Sequence, residues 1–160
     1  MIAVDSILDL DQTPKDAYQG LTPDQIVEEC KKAGNYYNYC IYGIGRDIAW
    51  RVRAGEGEQV MKFCEKRVLE DKTDTCIAGV IQVLVGFSWS GKYAYPFCKR
   101  FNYQGMRSSC YNLSQWAMLD MGYKEDSEVV KDCKKYVAND PKCISALEDV
   151  KDGEEVDFTK

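Results

Sequence analysis

The sequence of 160 residues contains no histidine. This absence excludes Ser-His and Cys-His nucleophile pairs, imidazole metal sites and histidine-ligated haem. The sequence also has no cysteines at the C-x-x-C spacing that zinc knuckles and thioredoxin-type redox sites require. We therefore expect a protein that is not an enzyme and that holds no metal or other cofactor.

Long apolar segments and an excess of basic residues are also absent. The longest apolar run, Cys76 to Phe87, is interrupted by Gln82 and is too short to span a bilayer. The 21 basic and 26 acidic residues give a net charge of −5, which argues against nucleic acid or an anionic membrane as the main partner. Residues 1–20 are acidic and do not resemble a signal peptide, so we expect a processed or trimmed start.

The main signal is an internal repeat carried by eight cysteines. They form two interleaved sets, in which neighbouring members are separated by 34, 34 and 35 residues and by 36, 34 and 33 residues. The first set is Cys30, Cys64, Cys98 and Cys133, and the second set is Cys40, Cys76, Cys110 and Cys143. A period near 34 residues is typical of stacked helix-turn-helix units.

Apolar residues repeat in register with the cysteines. They stand four and three residues before each cysteine of the first set, which places all three on one helical face. Small residues such as Gly43 and Gly79 follow the second set and predict close helix packing. The pattern predicts eight helices, near 22–33, 38–53, 57–70, 75–89, 94–102, 108–121, 126–138 and 141–151.

These helices predict an all-α fold, a right-handed solenoid of four helix-turn-helix repeats. Residues 21–152 form the helical-repeat domain in this interpretation. Residues 1–20 form an N-terminal arm with enough apolar surface to dock, and residues 153–160 form an acidic C-terminal tail. The last predicted helix has a narrow apolar stripe and many acids, which is typical of a terminal cap.

Three interpretations of the cysteines are open. A metal site is disfavoured by their spacing and by the lack of histidine. Pairing across the turns between repeats, as in Cys40–Cys64, would leave two cysteines over, and the pair midpoints miss the predicted turns. Pairing within each hairpin places the midpoints on the turns, where facing residues are within bonding distance. The spacing thus favours four disulfides, Cys30–Cys40, Cys64–Cys76, Cys98–Cys110 and Cys133–Cys143.

Four such disulfides predict an oxidising location. We expect the periplasm, the cell surface, the extracellular space or an organelle lumen. Each disulfide closes a short loop and should stabilise the fold by roughly 2–3 kcal/mol in the chain-entropy model.

The 34-residue, two-helix period with one cysteine pair per hairpin resembles the cysteine-rich Sel1-like and tetratricopeptide-like solenoids. The resemblance covers about residues 22–151 and rests on the period, the helix pairing and the placement of the cysteines. It implies a helical-repeat surface that binds other proteins.

Aromatic residues near turns and basic residues after the first cysteine set are candidates for such a surface. The aromatic residues could instead cap thin cores, and the basic residues could instead complement helix dipoles. The candidate partner-binding residues are Tyr36, Tyr37, Tyr39, Tyr42, Trp89, Tyr93, Tyr95, Lys31, Lys32, Lys99, Arg100, Lys134 and Lys135.

These observations favour a non-catalytic protein-binding or structural subunit that acts within a larger assembly, with a protein partner or as a homo-oligomer. One alternative is a carrier of a small apolar ligand in a helical cavity lined by aromatic residues and by Met61, Met106, Met118 and Met121. A second alternative is a carboxylate-dependent hydrolase of cell-wall or sugar polymers.

Overall fold

The computed structural model describes residues 23–65, 72–120 and 125–151. These ranges are helical and contain no strand. In chain order the helices are α1 Pro23–Lys31, α2 Tyr37–Ile48, α3 Trp50–Arg53, α4 Gly57–Cys64, α5 Thr73–Ser88, α6 Ala94–Lys99, α7 Gln104–Asp120, α8 Asp126–Val137 and α9 Pro141–Lys151. A 3-10 turn, Gly34–Tyr36, precedes α2. The predicted arm (1–20), the end of the predicted third helix (66–70) and the predicted tail (153–160) lie outside the described residues.

The all-helical prediction is confirmed for the described residues, with two local differences. The predicted helix 38–53 is interrupted at Ala49, whose N–H bonds to the carbonyl of Arg46 and tightens the last turn of α2. Helix α7 begins at Gln104, earlier than the predicted residue 108. Arg107 belongs to this added turn: its backbone N–H bonds to Tyr103 O (3.0 Å), and its Nε donates to Phe101 O (2.8 Å).

Four disulfides join consecutive helices, in the pairing that the hairpin spacing predicts. Cys30–Cys40 joins α1 to α2, Cys64–Cys76 joins α4 to α5, Cys98–Cys110 joins α6 to α7, and Cys133–Cys143 joins α8 to α9. We call these the first to fourth helix pairs, and the first pair includes α3.

The chain divides into two compact units, with the boundary inside α5 between Val80 and Ile81. The first unit has its core around Val27, Ile41, Ile48, Val60 and Phe63. The second unit has a more aromatic core, with fully buried Tyr95, Phe97, Phe101 and Tyr111.

The residues four and three before the first cysteine of each pair, and the residue directly after its second cysteine, are buried in the first three helix pairs. In the fourth pair, Val130 and Ile144 occupy two of these positions and are each 38% exposed. Their counterparts Tyr95 and Tyr111 in the third pair are fully buried, and Tyr111 is bonded to the turn before α9. The last helix pair therefore leaves uncovered a face that the third pair buries.

Gly45 of α2 and Gly79 of α5 lie where two helix backbones touch. A Cβ on Gly45 would overlap the carbonyl oxygen of Cys76, and a Cβ on Gly79 would overlap the carbonyl oxygen of Tyr42. The prediction that Gly43 serves close helix packing is wrong, because a Cβ there would meet no heavy atom within 4 Å. Gly45 faces α5 instead, since two residues turn an α-helix by more than half a revolution.

The second unit has an equivalent contact between two helices, made by a different side chain. Gln115 of α7 donates its amide N–H to the carbonyl oxygen of Cys143 (2.5 Å). Gly45 and Gln115 each stand five residues after the second cysteine of their own helix pair. Each faces the carbonyl oxygen of the second cysteine in the next pair. The same helix register therefore occurs once inside each unit.

Among the described residues, no helix combines the length and the apolar character that crossing a lipid bilayer would require.

The glycine contact predicts a marked difference between two glycines of α5. Gly79→Ala should lower the free energy of unfolding by about 1–3 kcal/mol, because the new methyl group pushes two backbones apart. Gly86→Ala is the matched control, since its Cβ would enter open space and alanine favours a helix by up to about 1 kcal/mol. Chemical denaturation followed by circular dichroism measures both, and equal effects of the two variants would contradict the contact.

The disulfides should differ in how readily they are reduced. Cys40 is partly exposed, whereas Cys30 is 2% exposed and the other six cysteines are fully buried. Because a thiolate must reach a sulfur atom to attack it, dithiothreitol should reduce Cys30–Cys40 first under native conditions. Timed alkylation with peptide mass mapping tests this order. Equal reduction rates for Cys98–Cys110 and Cys30–Cys40 in the folded protein would contradict it.

Candidate interaction surfaces

The predicted aromatic candidates divide into exposed and buried groups. Tyr36, Tyr39 and Trp89 are exposed, and Tyr37, Tyr42 and Tyr93 are partly buried. Tyr95 was expected on the same surface, and the structure corrects this expectation, because Tyr95 is fully buried. Its ring packs edge-on against Tyr111 at a centroid distance of 5.6 Å and covers the backbone of Gly91. Tyr95 is therefore a core residue of the second unit.

The predicted basic candidates are all exposed: Lys31, Lys32, Lys99, Arg100, Lys134 and Lys135. In α1, Lys31 and Lys32 pair with Glu28 (2.7 Å) and Glu29 (2.5 Å) three residues earlier. Exposed pairs of this kind contribute only about 0.2–0.5 kcal/mol each. Lys135 lies 5.0 Å from the ring of the adjacent Tyr136. These contacts are local, and both binding and dipole complementation remain interpretations of the basic residues.

Trp89 ends α5 in an unusual backbone conformation. Its φ of +53° lies in the left-handed region, and its side chain is 59% exposed. Its N–H bonds to Val85 O (2.7 Å), which is the bond of a helix end that normally carries glycine. A tryptophan at this position is strained by roughly 1–2 kcal/mol.

Hydrogen bonds hold the turn that follows Trp89. Ser90 Oγ donates to Ser88 Oγ (3.0 Å) and accepts from the Lys92 N–H (3.2 Å). Gly91 N–H donates to Asp132 Oδ2 (3.0 Å), a buried carboxylate of α8. The turn is therefore tied to the core of its own unit.

Two more aromatic rings lie close to Trp89 in the sequence. Phe87 is 38% exposed and packs edge-on against Tyr93 at a centroid distance of 6.4 Å. Lys92 Nζ lies 5.2 Å from the centre of the Tyr93 ring. We call Phe87, Trp89, Lys92 and Tyr93 the aromatic turn.

A buried polar layer lies in the same unit. Gln115 bonds to Cys143 O, and its amide nitrogen lies 3.7 and 3.8 Å from the two sulfur atoms of the Cys133–Cys143 disulfide. The Gln115 amide also adjoins the Tyr95 hydroxyl, although the two form no hydrogen bond of regular geometry. These groups fix α6, α7 and α9 relative to one another.

Asp140 organises the turn between α8 and α9. It accepts a hydrogen bond from the Tyr111 hydroxyl (2.9 Å) and caps α9 by accepting the Lys142 N–H (3.0 Å). Arg107 Nη1 lies 3.8 Å from the same carboxylate. Asp140 thus caps α9, which begins at Pro141, and also fixes the Tyr111 hydroxyl of α7.

Burial raises the pKa of several tyrosine hydroxyls. Burial raises the pKa of Tyr95, the Gln115 amide lowers it, and the Asp132 charge raises it further. The pKa of Tyr111 is raised by burial and by the hydrogen bond and charge of Asp140, against a lowering by Arg107. Burial also raises the pKa of Tyr42, which Arg46 partly offsets.

A second exposed surface lies in the first unit. Tyr36, Tyr39 and Trp50 are 70%, 52% and 42% exposed. The rings of Tyr36 and Tyr39 lie 6.3 Å apart, and the Arg51 guanidinium lies 5.6 Å from the Trp50 ring. Sequence reasoning did not include Trp50. Tyr39 follows Tyr36 by three residues, Gly43 follows Tyr39 by four, and Trp50 follows Gly43 by seven. This helical spacing is the sequence signal that would have identified Trp50.

In the described ranges, no group of three or more Cys, Asp or Glu side chains is placed to hold a metal ion. Comparisons with protein-family models, curated proteins and solved structures found no match to this chain.

The raised tyrosine pKa values predict a loss of stability at high pH. Tyr95 and Tyr111 titrate above the unfolded value of about 10, so their contribution is complete below about pH 10 and falls as pH rises toward their folded pKa values. In the folded protein at about pH 11, the phenolate absorbance should therefore correspond to fewer than the 11 tyrosines of the chain. The remainder should ionise only on unfolding.

Tyr95→Phe and Tyr111→Phe provide the control. Each should remove one late-ionising group without changing the early phase. Ionisation of every tyrosine near pH 10, with the near-ultraviolet circular dichroism of the native state intact, would contradict the assignment.

Proposed function

We propose that this protein is a non-catalytic protein-binding or structural subunit, built as a solenoid of four disulfide-linked helix pairs. The repeated register supports the solenoid, because Gly45 in the first unit and Gln115 in the second face equivalent carbonyl oxygens. The exposed apolar residues Val130 and Ile144 of the fourth pair are typical of a repeat at the end of a stack. The resemblance to Sel1-like and tetratricopeptide-like repeats supports the same architecture as an analogy.

The proposed location is extracellular, periplasmic or in an organelle lumen. Its support is chemical: four disulfides in a chain of this size persist in oxidising compartments. The buried positions of seven of the eight cysteines fit a structural role for these bonds.

The observation that carries the binding function is the exposed Trp89. The backbone there is strained, a large apolar ring faces solvent, and glycine would fit the helix end better. Strained residues concentrate at functional sites, and tryptophan and tyrosine are enriched in the anchors of protein interfaces. The aromatic turn is therefore the proposed contact surface for a protein partner, with Lys92 at its polar edge.

Three of the four methionines proposed to line a ligand cavity can be placed. Met118 is fully buried and Met61 is 9% exposed, so both fill the cores of their units. Met106 is partly exposed, and Met121 lies outside the described residues. The buried carboxylates of Asp132 and Asp140 bind backbone N–H groups, so their positions serve the fold and give the hydrolase alternative no support.

Trp89→Gly separates stability from binding. Relief of the left-handed strain should offset the lost ring contacts and the added chain entropy, so the free energy of unfolding should change by less than about 1 kcal/mol. The matched control is Ala138→Gly, because Ala138 ends α8 with a φ of +52° and carries no large ring. Ala138→Gly should raise the free energy of unfolding by up to about 1 kcal/mol.

The partner is sought by photo-crosslinking from a benzophenone amino acid at position 92, with position 103 as an exposed control. A protein captured only from position 92 is then purified and its affinity for the chain measured. Trp89→Gly should weaken that affinity at least about tenfold, and Ala138→Gly should leave it unchanged. Equal affinity for both variants, or no protein captured above the control, would refute the proposed surface.

A further inference from the structure

Two contacts, one inside each unit, define how a helix pair meets the pair that follows it. In both, the residue five positions after the second cysteine faces the carbonyl oxygen of the second cysteine in the next pair. Gly45 faces Cys76 in this way, and Gln115 faces Cys143. In the second helix pair the same position is occupied by Ile81, which is 1% exposed. The three residues at this position are therefore uncharged and buried.

The fourth helix pair has Glu148 at this position, and Glu148 is exposed. Its carboxylate differs from the other three residues in its chemistry, because it is charged and its oxygens only accept hydrogen bonds. It cannot donate to a carbonyl oxygen as Gln115 does, and burying it against one would leave a charge without a partner. The fourth pair therefore cannot repeat the contact that Gly45 and Gln115 make.

The first helix pair leaves the opposite side of this contact uncovered. Cys40 is partly exposed, whereas the other three cysteines of its set are fully buried. Gly43 and Gly79 each stand three residues after the second cysteine of their pair. Gly79 lies against the backbone of α2, but a Cβ on Gly43 would meet no heavy atom within 4 Å. The first pair thus has an open face at the positions through which the second pair contacts α2.

The exposed apolar residue of α9 fits this open face. Inside the second unit, the Tyr111 hydroxyl bonds to Asp140, which stands three residues before the second cysteine of the fourth pair. If another copy met the fourth pair in the same register, Ile144 would replace Tyr111 and would meet Tyr37, at the position of Asp140. An isoleucine against a tyrosine ring is a favourable apolar contact. Glu148 is therefore the mismatched residue of such a contact.

We propose that Glu148 prevents copies of this chain from stacking head to tail, with the fourth pair of one copy against the first pair of the next. A second copy is the occupant that the open face fits, because its fourth pair continues the register of the contacts within each unit. Head-to-tail contacts generate rings or open filaments, which a charge at the contact would prevent. The proposal rests on the repeat arrangement of the proposed function and does not depend on Trp89.

Glu148→Gln restores the side chain that the third pair uses. In sedimentation of the full chain from about 1 µM to about 1 mM, the wild type should remain an 18.3 kDa monomer. The variant should associate at least about tenfold more tightly, with masses that rise past twice that value. Glu148→Ala should also associate, because it removes the same charge. Asp120→Asn, at an exposed residue of α7, is the matched control for the change in charge and should remain monomeric.

Two results of this experiment would overturn the proposal. One is that both folded Glu148 variants stay monomeric, with circular dichroism as the check on folding. The other is that the wild type or Asp120→Asn polymerises as readily as Glu148→Gln. Trp89→Gly should change none of these masses, so a failure of this proposal and a failure of the aromatic turn are distinguishable.

A second substitution tests the direction of stacking. Gly43→Arg fills the open position on the first pair and should return Glu148→Gln to a monomer. The double variant keeps a competent fourth pair, and the wild type keeps an open first pair. Mixing these two chains should therefore give a complex of about twice 18.3 kDa and nothing larger, whereas the wild type mixed with the single variant Gly43→Arg should give none. Polymers of the double variant, or a mixture that forms no complex, would show that stacking is not head to tail.

Discussion

The disulfide inside each helix pair is the constraint on which the rest of the structure depends. Helices α1, α4 and α6 have only 9, 8 and 6 residues, which is too short for an isolated helix to be stable in water. Each is fixed by a disulfide to a neighbouring second helix, with Cα atoms 5.3–5.5 Å apart. The bond restricts the conformations of the unfolded chain. It also fixes which residues of the two helices lie side by side. Contacts between helix pairs therefore join helices whose alignment within each pair is fixed by its disulfide.

Contact between successive pairs uses one register and two different chemistries. In the first unit, Gly45 removes the side chain, so that α2 and α5 touch through their backbones. In the second unit, Gln115 fills the same position and donates a hydrogen bond to the facing carbonyl of Cys143. The glycine contact lets two helices pack closely. The Gln115 amide instead provides a hydrogen bond for the buried carbonyl oxygen of Cys143 and lies beside the buried Tyr95 side chain, which packs against Tyr111. Tyr95 and Tyr111 both lie in the core of the second unit.

The aromatic turn connects this buried layer to the surface. The Asp132 carboxylate accepts a hydrogen bond from the Gly91 N–H, and the Tyr95 ring packs over the same glycine. The turn is thereby fixed while Trp89, two residues earlier, stays in a strained and exposed conformation. In the proposed function, a support of this kind would lower the entropy lost when a partner binds.

The sequence alone determined the helical class, the helix pairs and the disulfide pairing, because each follows from spacings along the chain. The 34-residue period and the two cysteine sets were enough to place α1 to α9 within a few residues, apart from the break at Ala49 and the early start of α7. Only the tertiary structure decided the fate of single side chains. Tyr95 and Trp89 both stand near the same turn, yet one is buried and the other exposed, because burial depends on which helix packs opposite. Gly43 and Gly45 are alike in sequence and differ for the same reason, since only the position of α5 decides which of them touches a backbone.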